Sequence, residues 1–253
     1  MAILEAHDIR KRFRIPSARR STVREHVLGG LRPSPTEELV VLDGVSFEVQ
    51  AGETFGIMGR NGCGKSTLLK ILAGIYEPDS GRVVARGAVT PILELGVGWN
   101  PELDAIDNIL LLGSVMGMSL AELRRSTDEI LAFAELERFA NLKLQHYSSG
   151  MASRLAYAVA FRAVREILIL DEIFAVGDAG FKQRCESRLR DLVAEGRTVL
   201  LVSHDPRAVS GFCRRGVLLD QGRIAKYGNG DEVASAYLAQ LTRDTAIATG
   251  TRG

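Results

Sequence analysis

The sequence has little of what marks a secreted, membrane-spanning or nucleic-acid-coating protein. It has three cysteines in 253 residues, an odd number without the spacing of a metal site, and we therefore expect reduced thiols, as in the cytosol. No apolar run approaches the roughly 18 residues that span a bilayer. The formal net charge is only +1, which argues against a general nucleic-acid binder.

What the sequence does contain is an alternation of short apolar runs and helical patterns, typical of one α/β unit. Strands are predicted at residues 2–8, 39–49, 54–59, 167–172, 198–204 and 216–224, and several short strands within 81–96. Residues 60–74 are predicted to form a glycine-rich turn and a helix that ends at Gly74, and further helices are predicted at 105–117, 119–136, 153–164, 181–194 and 232–240, with a capping box of Ser119 and Glu122. The order predicts a largely parallel sheet interrupted by a helical insertion.

A basic segment broken by glycine and proline separates the first two predicted strands. Residues from about 14 to 36 are predicted to form an inserted loop. The charges from Arg10 to Arg24 suit a solvated face, or contact with anionic lipid headgroups or an acidic partner. The polar stretch 241–253 lacks periodicity and is predicted to be a flexible tail.

The firmest motif is a glycine-rich turn between a predicted strand and a predicted helix. It reads Gly59, Arg60, Asn61, Gly62, Cys63, Gly64, Lys65, Ser66 and is followed by Thr67. Glycines at these places let backbone N–H groups converge on phosphate, and the helix start adds its positive dipole end. Lys65 is then placed to reach the terminal phosphates and Ser66 to bind Mg²⁺. The motif predicts binding of a nucleoside triphosphate with magnesium.

Polar residues follow two later apolar strands. Asp171 and Glu172 end the strand "ILILDE", and His204 ends "TVLLVSH". Ligands of open α/β sheets bind at the carboxyl ends of strands. We expect Asp171 to hold Mg²⁺, Glu172 to orient or deprotonate an attacking water, and His204 to contact the terminal phosphate.

At this point the sequence resembles the ATPase subunits of ABC transporters over nearly its whole length. "GRNGCGKST" is similar to Walker A, "ILILDE" to Walker B, "VGD" ending at Asp178 to the D-loop, and His204 to the switch histidine. The signature LSGGQ of that family corresponds here to Tyr147, Ser148, Ser149, Gly150 and Met151. The resemblance implies a P-loop NTPase fold with a RecA-like core, an antiparallel β-subdomain and a helical subdomain near 96–165, within an ATPase domain of residues 1–240.

In this family the signature of one subunit closes over ATP held by another. Ser148 offers a hydroxyl, Gly150 permits close backbone approach, and the helix behind them points its N-terminus at an anion. Three positions depart from LSGGQ, and Ser149 weakens the correspondence most because it puts a side chain where backbone approaches phosphate.

Two further positions carry open alternatives. No glutamine lies between Val89 and Pro101, so Glu94 is the candidate for the family's Q-loop role, or is a surface acid. Phe13 either stacks on adenine or is a core phenylalanine.

The resemblance extends to the subfamily that exports polysaccharides, the O-antigen, teichoic-acid, capsule and galactan exporters of the Wzt/TagH type. "LELGVGWNPELDAIDNI", "DEIFAVGD" and the insertion with "VLGGL" are similar to it. It implies a homodimeric ATP hydrolase using ATP and Mg²⁺, peripheral on the cytoplasmic face of the membrane. Its expected partners are multi-spanning permease subunits and a lipid-linked polysaccharide, without nucleic acid. The alternatives are a soluble ABC ATPase acting on nucleic acid or the ribosome, and an importer ATPase.

Overall fold

The computed structural model describes residues 1–16, 36–93, 98–171 and 178–250. Its strands are β1 (Ala2–Pro16), β2 (Thr36–Gln50), β3 (Thr54–Gly59), β4 (Ser80–Ala85), β5 (Val89–Ile92), β6 (Ile167–Asp171), β7 (Thr198–Val202), β8 (Arg215–Asp220) and β9 (Arg223–Asn229). Its α-helices are α1 (Lys65–Leu72), α2 (Ala105–Val115), α3 (Leu120–Ala134), α4 (Ser149–Ala163), α5 (Ala179–Ala194), α6 (Pro206–Phe212) and α7 (Gly230–Gly250). Two short 3₁₀ turns, Glu137–Phe139 and Leu144–His146, lie between α3 and α4.

The larger sheet has six strands in the order β5-β6-β7-β3-β8-β9. Its pairs are parallel except β8 with β9. The central strands are apolar without alternation because helices or a second sheet cover both faces. In β6, for example, Ile167 and Ile169 join one core cluster while Leu168 and Leu170 join the other.

The smaller sheet is antiparallel, in the order β2-β1-β4. It packs on one face of the six-stranded sheet, where Phe47 stacks on Phe55 with ring centroids 5.1 Å apart. Leu4, Ile9 and Leu42 are fully buried in the same cluster. This layer also brings Val41 beside the glycine-rich turn.

Strands β1 and β2 are longer than the sequence predicts. Their pairing continues to Pro16 opposite Thr36, so residues 14–16 and 36 of the predicted insertion are strand, and residues 17–35 lie outside the described ranges. Ion pairs support the charged extension: Arg10 contacts Asp43, Lys11 contacts Asp79, and Arg12 contacts Glu38. The prediction failed here because a charged run was interpreted as loop, whereas opposite charges across strands permit pairing.

Helices α2, α3 and α4 share a core of their own, which includes Ile109, Leu123 and Leu155. The predicted capping box is confirmed, because the Ser119 hydroxyl accepts from the Glu122 backbone N–H at 3.2 Å and the Glu122 carboxylate accepts from the Ser119 N–H at 2.8 Å. Trp99 is half-buried against this helical core.

The last helix also differs from its prediction, since α7 continues from Gly230 to Gly250 rather than ending near Gln240. Its first half packs on the sheet through Val233, Ala234 and Tyr237. A polar sequence without periodicity can extend a helix that packing has already nucleated. Among the described residues, no helix combines the length and apolar content needed to cross a bilayer.

Candidate nucleotide-binding site

Three neighbouring strand ends assemble the site. Strand β7 lies between β3 and β6 and is hydrogen-bonded to both, and Val202 is opposite Ile57 on one side and Asp171 on the other. Adjacent strands are about 4.8 Å apart. The glycine-rich turn after β3, Asp171 at the end of β6 and His204 after β7 therefore all lie at the carboxyl ends of three adjacent parallel strands.

The glycine-rich turn depends on backbone shapes that other residues rarely adopt. Gly62 has φ of 80° with open space around the position of a Cβ, so the loop presents backbone rather than side chain there. Gly64 has φ of 108°, and a Cβ would lie 2.7 Å from the Val41 carbonyl oxygen. Substitution at Gly64 is excluded both by its backbone angle and by the packing of β2.

A cavity of about 450 Å³ opens over this turn. Lys65 is only 7% exposed, and its ammonium group donates to the carbonyl oxygens of Gly59 at 2.7 Å and Arg60 at 3.0 Å. These bonds hold the lysine at the mouth of the turn in one conformation. The cavity is lined by Val41, Asn61, Gly62, Gly64, Lys65, Ser66, Thr67 and Asp171.

The chemistry of this cavity fits a magnesium-bound phosphate chain. Helix α1 begins without a side-chain cap and without an acidic residue in its first turn, which leaves its first N–H groups and dipole directed at the cavity. Ser66 and Asp171 supply two oxygens. No group of three or more His, Cys, Asp or Glu side chains that could hold a metal occurs in the described ranges. Mg²⁺ commonly takes one or two protein oxygens together with substrate phosphates and water, and Ser66 with Asp171 meets that need.

Two predicted site residues cannot be placed. Glu172 and Glu94 both lie outside the described residues. His204 is exposed, two residues beyond Val202, and it does not line the cavity over the turn. The following Asp205 caps α6 by accepting from the Arg207 N–H at 2.9 Å.

The signature segment lies at the start of α4 and does not line the cavity of its own chain. Ser148 is the N-cap, and its hydroxyl oxygen accepts from the Met151 N–H at 3.2 Å. The hydroxyl hydrogen is not used in that bond and can be donated outward. A Cβ at Gly150 would meet only the Ser148 hydroxyl oxygen, at 3.8 Å, so packing within this chain does not require a glycine.

The departures from LSGGQ have local explanations. The Tyr147 hydroxyl donates to the Phe139 carbonyl oxygen at 2.8 Å, and burial raises the pKa of this phenol. The Tyr147 and Met151 side chains both pack partly buried against the helical core. Ser149 is the first residue of α4 and is exposed. Tyr147 and Met151 therefore anchor the segment, whereas Ser149 remains on its outer surface.

Phe13 is 36% exposed, which rules out the alternative of a core phenylalanine. Its ring meets Tyr76 edge-on with centroids 6.3 Å apart, and the Lys11 ammonium lies 5.7 Å from its centre. Sequence reasoning missed Val41, which lines the cavity, because it is an ordinary strand valine without a motif of its own.

Asp178 caps α5, because its carboxylate accepts from the Phe181 N–H at 2.9 Å. That backbone hydrogen bond, followed by the charges of Arg154 and Arg184, holds the pKa of Asp178 below its usual range. Asp178 also pairs with Arg154 of α4. The candidate D-loop residue is therefore charged and tied to the helix that carries the signature segment.

Cys63 gives a prediction about reactivity. Its side chain is 6% exposed and packs into the core beneath the turn, and burial raises the pKa of the thiol. An ordinary cysteine is about 3% thiolate at pH 7, and Cys63 has less. We expect N-ethylmaleimide to react with Cys63 more slowly than it reacts with the thiol of glutathione at pH 7. The rate for Cys63 should rise as the pH is raised to 9.

Labelled protein, verified by peptide mass, is expected to lose ATP binding because the adduct must displace the turn. A Cys63→Ala variant exposed to the same reagent is the control for labelling at the other two cysteines. It should keep its ATP binding, because burial raises the pKa values of Cys185 and Cys213 to about 12 and leaves little thiolate at either. Full ATP affinity after verified labelling of Cys63 would contradict the prediction.

Comparison with known proteins agrees with this site. Residues 42–175 match the family model described as ABC transporter. The chain is similar to the O-antigen export system ATP-binding protein RfbB of Myxococcus xanthus, with 41% identity over 83% of this chain and 48% of that protein. It is also similar to the O-antigen export system ATP-binding protein RfbE of Yersinia enterocolitica, with 40% identity over 82% of this chain and 88% of that protein. The chain thus spans about half the length of the first relative and most of the second.

The fold itself has solved counterparts. The dimeric ATP-binding cassette MJ0796 in a post-hydrolysis state with ADP and Pi superposes with a TM-score of 0.71 at 24% identity, covering 89% of this chain and 98% of that one. This likeness concerns the fold, and it confirms the predicted fold class.

Proposed function

The chain belongs to the ABC transporter family of ATP-binding proteins, and from that premise we propose that it is the ATP-hydrolysing subunit of an exporter of lipid-linked polysaccharide. The observation that carries ATP hydrolysis is the cavity where the uncapped start of α1, Lys65, Ser66 and Asp171 converge. The names of the relatives support the part of the proposal that concerns export of a polysaccharide such as O-antigen.

The residues of the site take complementary roles. The backbone of residues 59–67 cradles the phosphates, and the Lys65 ammonium neutralises their charge. Ser66 and Asp171 would hold Mg²⁺, which would supply positive charge to neutralise the phosphates. Glu172 orients the attacking water, His204 contacts the terminal phosphate, and Phe13 offers an aromatic surface for adenine. Glu94 takes the Q-loop position.

A second copy of the chain completes the site. The signature segment lies outside its own cavity, and Gly150 is a glycine that its own chain does not need. A group approaching from outside explains both facts, because a bare backbone lets phosphate oxygens come close to the N-terminus of α4. We therefore assign Tyr147, Ser148, Ser149, Gly150 and Met151 to the partner's ATP in a head-to-tail homodimer, with Asp178 beside them.

The permease contact is assigned to an apolar groove of about 560 Å³. The groove runs between the end of α1, strand β5 and the end of α2. Two of its apolar residues, Val115 and Ile75, are 72% and 55% exposed to solvent. Exposed apolar surface of this kind marks interaction sites. We assign it to a cytoplasmic segment of a multi-spanning permease subunit, with this chain peripheral on that face of the membrane. It is lined by Lys70, Ile75, Tyr76, Val89, Thr90, Pro91, Leu93, Leu112, Val115, Met116 and Gly117.

The domain boundaries remain part of the proposal. We place the ATPase domain at residues 1–240, with the helical subdomain near 96–165 and an insertion between the paired ends of β1 and β2; residues 241–253 follow this domain, and α7 extends into them as far as Gly250. Helices α2 to α4, with a core of their own, support the helical subdomain.

Affinity purification of the tagged chain from detergent-solubilised membranes is expected to yield a co-eluting multi-spanning subunit. Val115→Arg is expected to reduce that co-elution at least tenfold, because a charge in an apolar contact loses its hydration. The ATPase rate of the isolated Val115→Arg chain should stay within about twofold of the unmodified chain, since surface substitutions away from a site have small effects.

Leu238→Arg is the matched control. Leu238 is a comparably exposed apolar residue, at 50%, on helix α7, and it does not line the groove, so co-elution should be retained. Equal loss in both variants would reject the groove as the contact site. Co-elution of ribosomes or nucleic acid in place of a membrane subunit would reject the exporter.

A further inference from the structure

Arg154 connects two segments that are far apart in sequence. It lies on α4, and one guanidinium nitrogen donates to the Glu135 carboxylate at 2.9 Å while the other pairs with Asp178. The Arg154 side chain is only 21% exposed. By helix geometry it lies about 6 Å along the axis from Gly150. One side chain thus ties the helix of the signature segment to the cap of α5.

Glu135 connects a third helix, α3, to this arrangement. It ends α3 in the left-handed conformation, with φ of 59° and ψ of 43°, which is uncommon for a residue with a side chain. Its carboxylate also pairs with Arg184 of α5, and the Arg184 hydrogen bond holds the pKa of Glu135 below its usual range. Glu135 therefore binds both arginines while the backbone adopts an unfavourable angle to present it.

The aromatic ring of Phe181 packs against both arginine side chains, Arg154 and Arg184. The Arg154 and Arg184 guanidinium carbons lie 5.5 Å and 5.7 Å from the centre of the fully buried Phe181 ring. Exposed ion pairs usually contribute little because their side chains stay mobile. Stacking against a buried ring and bonding at two ends restrict Arg154 to one geometry, which a planar guanidinium can satisfy and an ammonium cannot.

We propose that Arg154 is a positioning residue that locks the signature segment and Asp178 into one rigid unit, so that both meet the partner subunit's ATP together. The inference rests on the proposed function, in which residues 147–151 and Asp178 lie at the dimer interface. Arg154 itself does not line the phosphate cavity of its own chain. Its effect is therefore on assembly of the two-chain site and not on the first binding of ATP.

The test compares Arg154→Met, Arg154→Lys and Arg162→Met. Arg154→Met is expected to bind ATP as the unmodified monomer does, yet to lose about ten- to a hundredfold in kcat because the reacting groups are misplaced. Light scattering should show that this variant dimerises with ATP only at a higher protein concentration than the unmodified chain. Arg154→Lys should recover only part of the kcat and only part of the dimerisation. Arg162, on the same helix and paired with exposed Glu129 at 3.6 Å, is the matched control without effect.

A double-mutant cycle identifies the partner through which Arg154 acts. Asp178→Asn keeps the oxygen that caps α5 and removes the charge that Arg154 binds. If the two residues act together, the double variant Arg154→Met, Asp178→Asn loses no more kcat than the worse single variant. Multiplied losses would overturn the proposal, as would a kcat of Arg154→Met equal to that of the control.

Other results would overturn either the role of Arg154 or the proposed function on which it rests. Weaker ATP binding by the Arg154→Met monomer would overturn the proposal. A fall in Tm large enough for the loss of folded protein alone to explain the loss of kcat would also overturn it, because Arg154 would then only stabilise the fold. Absence of ATP hydrolysis in the unmodified chain would reject the proposed function itself, which separates the two failures.

Discussion

Replacement of Glu172 by glutamine is expected to leave ATP binding intact and to lower turnover by about two to four orders of magnitude, the range of general acid–base catalysis. Glutamine keeps the shape of the side chain but cannot accept a proton from water. Glu172 lies outside the described residues, and the expectation depends on its place directly after Asp171, whose strand ends beside the phosphate cavity. With hydrolysis blocked, ATP should trap the closed dimer, observable by size-exclusion chromatography.

Glu166→Gln is a suitable control for the loss of a carboxylate. Glu166 precedes β6 at its opposite end, where its carboxylate accepts from the Ala88 N–H at 2.8 Å, and its amide replacement should leave turnover within about twofold. Near-normal hydrolysis by Glu172→Gln, or an ATP-trapped dimer missing in that variant, would remove Glu172 from its assigned role.

The second large effect is expected from mixing two inactive chains. Lys65→Ala removes the ammonium group from the phosphate turn, and Gly150→Asp places a carboxylate where the partner's phosphates approach. Each homodimer should lose turnover by orders of magnitude. Gly150→Asp should still fold, since a Cβ at Gly150 meets no atom closer than 3.8 Å in its own chain.

An equal mixture of the two chains should regain activity. Half of randomly formed dimers are mixed, and each mixed dimer has one site with an intact turn from one chain and an intact signature from the other. Independent sites then predict about one quarter of the unmodified rate, a consequence of the head-to-tail symmetry. A mixture as inactive as its components would contradict shared sites, whereas residual activity in Gly150→Asp alone would place the whole site in one chain.

Much of the site was predictable from the sequence because its motifs act locally. The turn of residues 59–66 needs glycines at fixed places whatever surrounds it, and the Ser119 capping box needs only its own four residues. Family resemblance then extended the interpretation to the signature segment, and the ABC transporter family is confirmed. The apolar runs of β3, β6 and β7 likewise predicted buried parallel strands.

The errors occurred where a distant partner changes the meaning of a local pattern. Residues from Arg10 to Pro16 form strand, and Arg10, Lys11 and Arg12 find opposite charges on β2 and at Asp79. Helix α7 exceeds its predicted end because its first half is packed on the sheet.

The sequence by itself determined the phosphate turn, the acid after an apolar strand and the class of fold, since backbone preference and side-chain period are written in neighbouring residues. Only the tertiary structure decided that β7 lies between β3 and β6, that Val41 closes the turn against Gly64, and that Arg154 reaches Asp178. Such contacts join residues from 23 to more than 100 positions apart, and they depend on how all layers pack together and not on any one segment.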